Sequence, residues 1–330
     1  LKNGNKIRII EILDLKKRKE FDALGVKQIP SDAYTGIFYA RAKENFSLSS
    51  RRFPPEFFHQ LALLKHVAAM EHVRAKRLDA KLGKAIIQAS EEVMRGKFDS
   101  IFDVDVFEAG AGTPLNMSMN EVIANRALEI MKQRKGKYSL IHPNNQVNMM
   151  QSTNDVIPAA IRLTTIHFSE KLEKELVETI HVCEKLSQKY KNALKVGRTH
   201  LQTAVPVTFG QEVYVYAQSL REDWQKIQQA KQGLYELSLG GTATGTGITT
   251  EPGYDVAVVK LLKKKTGIPF FPSHRKMLYT SHMTVFQHYM NALSELASDV
   301  LIWMNDWIIL SSDPYAGMGE IHLPEVEPGS

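Results

Sequence analysis

Among 330 residues there is one cysteine, Cys183. A single thiol excludes an internal disulfide framework and fits a reducing compartment, so a cytoplasmic protein is expected. Cys183 stands among amphipathic positions, which favours packing as its role. No apolar run is long enough to span a bilayer and the first residues carry no signal-peptide pattern, so no membrane partner is expected. The 20 glycines build no Rossmann or P-loop fingerprint, which argues against a nucleotide cradle. The 11 histidines are scattered, with no His-x-x-x-His and no cysteine pair, so a metal site is not expected. Repeats and low-complexity tracts are also missing.

What is present is an ordinary globular composition, 43% hydrophobic, with a net charge of +6. The basic excess sits in short clusters such as Lys16-Lys17-Arg18-Lys19 and Lys263-Lys264-Lys265. A nucleic-acid surface needs a coherent basic face with aromatic or base-reading groups. None is visible, so these clusters read as solvated surface and no nucleic-acid partner is expected. A basic field does favour the approach of a dianionic substrate.

The chain reads as mostly α. Residues 1–50 look irregular, with one short strand expected near Lys6–Leu13. Helical periodicity runs from Pro54 to about Met94 (Leu61, Leu64, Ala68, His72) and from Glu121 to about Arg134. Three long helical stretches follow, over about 157–194, 209–239 and 281–310. In the last, Phe286, Met290, Leu293, Ala297, Val300, Met304 and Trp307 alternate in 4–3 steps, a seam suited to packing against other long helices. Val285, Tyr289 and Leu296 form a second stripe, which implies burial on more than one side. A chain of this size covers two such faces poorly, so a bundle that continues into an oligomer is expected.

Polar clusters lie between these helices. They are Gly110-Ala111-Gly112-Thr113 with Asn116 and Asn120-Glu121; His142-Pro143-Asn144-Asn145 leading into Gln151-Ser152-Thr153-Asn154-Asp155; Gly197-Arg198-Thr199-His200-Leu201-Gln202; and the Gly/Thr-rich run 240–247. Ser152, Thr153 and Asn154 stand where a helix begins. Free backbone N–H groups and the helix dipole there favour an anion, and neutral donors beside them suit a carboxylate. The same residues are also the usual caps. Taken singly, Thr113 reads equally as a cap, His200 as a satisfied buried histidine and the run 240–247 as a tight turn.

Taken in order, these segments resemble the fumarase/aspartase superfamily. The motifs are Gly-Ala-Gly-Thr…Met-Asn-Glu-Val-Ile-Ala-Asn-Arg-Ala, Gln-Ser-Thr-Asn-Asp, Gly-Arg-Thr-His-Leu-Gln…Ala-Val-Pro-Val-Thr-Phe-Gly-Gln-Glu, Gly-Gly-Thr-Ala…Gly-Thr-Gly and the final Leu-Pro-Glu-Val-Glu-Pro-Gly-Ser. The likeness covers about Ser31 to Ser330. It implies a small N-terminal α+β region followed by a long-helix bundle, with residues 1–150 as an N-terminal lyase domain and 151–330 as an incomplete central bundle domain. It implies a homotetramer whose active sites draw on three subunits. The reaction would be cofactor-free anti elimination releasing fumarate. Thr113, Ser152, Thr153, Asn154 and Thr199 would bind the substrate's carboxylates and amino group. His200 would contact the carboxylate beside the departing proton, and Ser330, as an oxyanion, would be the general base. His142 and Asn144 match a second dicarboxylate site of fumarases.

Within the family, Thr153, the Lys135-Gly136-Lys137-Tyr138 approach to His142 and the N-terminal 29–46 segment resemble aspartate ammonia-lyase. L-aspartate is then the expected substrate. The 325–330 segment leans towards class II fumarase, with L-malate as the alternative. Pro114, Thr249 and Tyr315 depart from the family pattern, and Tyr315 removes a cation, which keeps a catalytically silent structural paralogue as a reading of another class. Relatives continue through a lysine-bearing loop, further bundle helices and a small C-terminal domain. The 330 residues by themselves are therefore expected to be inactive. Fumarate release from aspartate by this chain alone, followed by ultraviolet absorbance, is the outcome that contradicts the expectation.

Overall fold

The computed structural model describes residues 16–108, 110–315 and 317–328. The strand expected near Lys6–Leu13 lies outside them, as does Ser330. Two short strands, β1 (Lys17–Asp22) and β2 (Gly25–Pro30), pair antiparallel. The helices α1 (Ile37–Asn45), α2 (Pro55–Arg74), α3 (Ala80–Met94), α4 (Thr113–Ile130) and α5 (Thr153–Lys189) follow. A second antiparallel pair, β3 (Leu194–Thr199) and β4 (Gln202–Thr208), precedes α6 (Phe209–Gln232). The remaining helices are α7 (Tyr254–Thr266), α8 (Lys276–Ser281) and α9 (Thr284–Leu310). The mostly α reading holds, and no helix among the described residues is long and apolar enough to cross a membrane.

Contacts divide the chain into two compact units. One holds the described residues through Thr164 together with Leu237–Ser281, and the other holds Thr165–Glu236 with the described residues from His282 onward. The grouping follows space rather than chain order, because the Gly-rich turn at 240 returns the chain to the first unit.

In the first unit, α2 packs on α3, α4 and α7. Its Leu61, Leu64 and Val67 meet a core that includes Ile86 and Ala89 of α3 and Val122 and Ile123 of α4, all buried. The charged edge of this core is specific. Arg126 of α4 holds Glu92 of α3 through two parallel bonds, Nε to Oε2 and Nη2 to Oε1, each 2.8 Å. Such a bidentate pair fixes orientation as well as adding energy.

In the second unit, α6 and α9 pack together. Tyr216 stacks on Trp303 at 5.5 Å and its hydroxyl donates to Asp306 at 3.0 Å. Cys183 of α5 lies in a small apolar cluster with Val213 and Ala217, the packing role its setting indicated. The expected seam of α9 is not its buried line. Tyr289, Ala292, Leu296 and Leu310 are buried, whereas Met290 is 59% and Met304 38% exposed. Within one chain α6 covers only the stripe that the pattern placed second.

Several elements start earlier than periodicity alone indicates. The α4 helix begins at Thr113, not near Glu121, because Pro114 occupies the first turn, where its missing N–H costs nothing. Among the described residues, 17–45 form a hairpin and α1 in place of the expected irregular chain.

Arg126, with Lys97 adding to it, holds the Glu92 carboxyl down at about 2. A depressed carboxyl stabilises the fold above its unfolded value near 4.5, and that stabilisation is lost as pH falls through about 2. Glu92→Gln is expected to cost about 2 kcal/mol near neutrality. The gap from wild type should close between pH 4.5 and 2 in denaturant titrations.

Candidate active site

The first helical residue of α5 is Thr153, so Ser152 is its cap. Ser152 Oγ accepts from the Asn154 N–H at 3.3 Å, and Asp155 Oδ1 accepts from the Ser152 N–H at 3.0 Å. This reciprocal arrangement satisfies two donors that a helix start leaves free. Capping is therefore one real role of the segment. Asp155 does more: its Oδ2 accepts from the Thr242 N–H at 3.0 Å, while Asn154 Nδ2 donates to the Ala243 carbonyl at 2.7 Å. The Gly/Thr-rich turn is thereby held against the start of α5.

The first loop arrives by close approach. Gly112 caps α4 with φ +94°, and a Cβ there would stand 2.9 Å from Ile157 of α5. Only glycine both adopts that backbone and leaves that space. One turn on, Asn116 is buried and its Nδ2 donates to Thr153 Oγ1 at 3.2 Å.

Beneath these groups lies Lys65, on the buried face of α2 and fully enclosed. Its Nζ donates to Asn116 Oδ1 at 2.7 Å and to Asn148 Oδ1 at 2.8 Å. Asn148 in turn donates from Nδ2 to Asn144 Oδ1 at 3.1 Å and to the Gln151 carbonyl at 3.2 Å. Burial pushes the Lys65 ammonium down to about 7, against the attraction of Asp155. Burial likewise pushes Asp155 up to about 6, against the N–H groups of Ser152 and Thr242 and the charge of Lys65. Burial disfavours the charged form of each group, and each is held instead by its hydrogen bonds.

In the first unit the structure brings Ser152, Thr153 and Asn154 together with Asn144, through Asn148. Thr113 opens α4, exposed, with its Oγ1 donating to the Gly110 carbonyl at 2.8 Å. His142 caps the single π-type turn Pro143–Val147, its Nδ1 accepting from the Asn144 and Asn145 N–H groups at 3.0 and 3.4 Å. That acceptor role, with a pKa lowered by burial, leaves Nε2–H as the ring's outward donor. Thr199 and His200 belong to the second unit, where they sit exposed at the tip of the β3–β4 hairpin. His200 and Leu201 have φ of +51° and +62°, the left-handed pair of a two-residue hairpin turn. Thr199 pairs with Gln202 across it. His200 is therefore not a buried histidine.

Sequence reasoning missed Lys65 and Asn148. The signal for Lys65 was there: a lysine inside Leu61-Ala62-Leu63-Leu64-Lys65-His66-Val67, where every neighbour belongs to the core.

The family model described as lyase matches residues 25–330. This chain belongs to the fumarase/aspartase superfamily. It is 41% identical over 313 residues to the aspartate ammonia-lyase of Bacillus subtilis (strain 168), which covers 95% of this chain and 66% of that one. It is 39% identical over 320 residues to the class II fumarate hydratase of Thermus aquaticus, covering 96% and 68%. The crystal structure of fumarate lyase:delta crystallin from Brucella melitensis superposes with a TM-score of 0.92 at 39% identity, over 96% of this chain and 69% of that one. The chain thus spans about two thirds of the length of these relatives. The expected fold is the observed one, and the family is a lyase family.

Removing Asp155 tests the scaffold. Asp155→Ala orphans buried N–H donors and leaves Lys65 without a counter-charge. A loss of about 3 kcal/mol is expected, read as a lower denaturant midpoint.

Proposed function

We propose that the full-length protein is an aspartate ammonia-lyase, eliminating ammonia from L-aspartate to give fumarate. The observation that carries the reading is the start of α5. Thr153 and Asn154 are held at the positive end of the helix dipole by a network that reaches Asn116, Asn144 and the turn at 242–243. Hydroxyls, amides and a helix N-terminus are the donors a dicarboxylate needs. They are also the donors a reaction through an aci-carboxylate dianion needs, because they are oriented before the charge develops.

In this reading Thr113, Ser152, Thr153, Asn154 and Thr199 bind the substrate, and His200 contacts the carboxylate beside the departing proton. Ser330 removes that proton as an alkoxide, stabilised by positive charge and backbone N–H groups. His142 and Asn144 form an outer dicarboxylate site, joined to the inner one through Asn148. The exposure of Thr199 and His200 supports a composite site completed by other subunits of a homotetramer, as do the exposed Met290, Leu301, Ile302 and Ile308 of α9.

Aspartate is preferred over malate because of Thr153 and the approach to His142. The fumarate hydratase relatives, nearly as similar, favour class II fumarase as the second reading. The two separate in one assay, in which the full-length protein is given L-aspartate or L-malate and fumarate absorbance is followed. Signal from aspartate alone supports the ammonia-lyase, and signal from malate alone supports the fumarase. Silence with both, from a folded tetramer, favours a non-catalytic paralogue. In the active protein, Thr153→Ala and His200→Ala are each expected to lower kcat/KM about 100-fold with thermal stability little changed. Unchanged kinetics refute the assignment of those residues.

A further inference from the structure

Lys65 is not among the residues expected to touch substrate, and nothing about its place in the core requires a charge. Its position has a consequence for the residue two bonds away. An amine of lysine offers N–H groups to both neighbours whether it carries three protons or two. Asn116 and Asn148 must therefore turn their carbonyl oxygens towards it, as their distances of 2.7 and 2.8 Å record. That choice leaves the Asn116 amide nitrogen facing Thr153 Oγ1 at 3.2 Å. A carboxamide nitrogen only donates, so it occupies a lone pair of the hydroxyl, and the hydroxyl's own hydrogen has to point elsewhere. Asn148 is polarised in the same sense and donates outward to Asn144 and Gln151.

We propose that Lys65 is a positioning residue that sets the polarity of this network, so that Thr153 presents its hydroxyl as a donor to the substrate's carboxylate rather than spending it on the protein. The inference rests on the dicarboxylate reading given above and adds to it a residue that never meets the ligand. Without Lys65, only the long 3.4 Å bond from Asn116 Nδ2 to Asn148 Oδ1 favours this sense of the carboxamide, and it can turn over. Thr153 would then donate inward and meet a carboxylate with its lone pairs.

The decisive variant is Asn116→Asp in the full-length protein. The carboxylate still accepts from Lys65, so the fold has an ion pair in place of a hydrogen bond. It offers Thr153 only acceptors, which reverses the hydroxyl. The expected result is a protein that melts within a few degrees of wild type, with KM for its dicarboxylate raised about tenfold. Adding Thr153→Val to it should change KM little further, since the donor is already lost. Lys65→Met, where it folds, should raise KM in the same way. A folded Asn116→Asp variant with wild-type KM overturns the proposal, as does a Thr153→Val effect that multiplies fully with it. Neutron diffraction of the deuterated wild-type protein reads the hydroxyl directly. A deuteron on Thr153 Oγ1 directed away from Asn116 supports the proposal, and one directed at Asn116 overturns it. If wild type turns over neither aspartate nor malate, the functional reading fails, while the neutron map still decides the polarity of Thr153.

Discussion

A buried amine has to be given acceptors, and that requirement at Lys65 organises the first unit of this protein. The side chain leaves the core face of α2, where water is absent, and ends between Asn116 of α4 and Asn148 before α5. Three parts of the chain, more than 80 residues apart at the extremes, are thereby tied to one atom. A buried polar group left unpaired costs far more than a satisfied one contributes. The network therefore constrains each member more strictly than apolar packing would. Asp155 provides the opposite charge from the other side and extends the tie to the turn at Thr242.

The polar residues at the mouth of the site inherit their geometry from this foundation. Ser152 and Asp155 close the start of α5 as a reciprocal cap. Ser152 takes the N–H groups of Asn154, Asp155 and Val156 as well. Capping leaves the segment open to the binding role proposed for it rather than competing with it. The hairpin tip carrying Thr199 and His200 is built differently, by a left-handed two-residue turn that leaves both side chains exposed.

Much of this was legible in the residues. Helical periodicity located α5 and α9 to within about five residues and the start of α6, but it read α2 and α3 as one stretch and ran α6 on past Gln232. It missed the early start of α4, where Leu115, Met117 and Met119 alternate with the equally buried polar residues Asn116, Ser118 and Asn120 and so mask the 3.6-residue period. It also missed the β1–β2 and β3–β4 hairpins, whose strands are largely exposed and so lack a clear alternation. On α9 the pattern showed two stripes and ranked first the one that is less buried within this chain. Ranking requires knowing which face of α9 the neighbouring helices bury, the one with Tyr289, Ala292 and Leu296.

The order and content of the polar motifs were enough, by themselves, to identify the superfamily and to name the threonines, serine and asparagines of the candidate site. Those motifs are local, and each carries its own chemistry in adjacent residues. Only the tertiary structure decided which of them share a place. It put Asn116, Asn144, Asn148 and Thr242 around the start of α5, and it revealed Lys65 beneath them. The reason is physical: a lysine's role depends on whether water reaches it, and burial is a property of the packed chain, not of the seven residues in which the lysine is written.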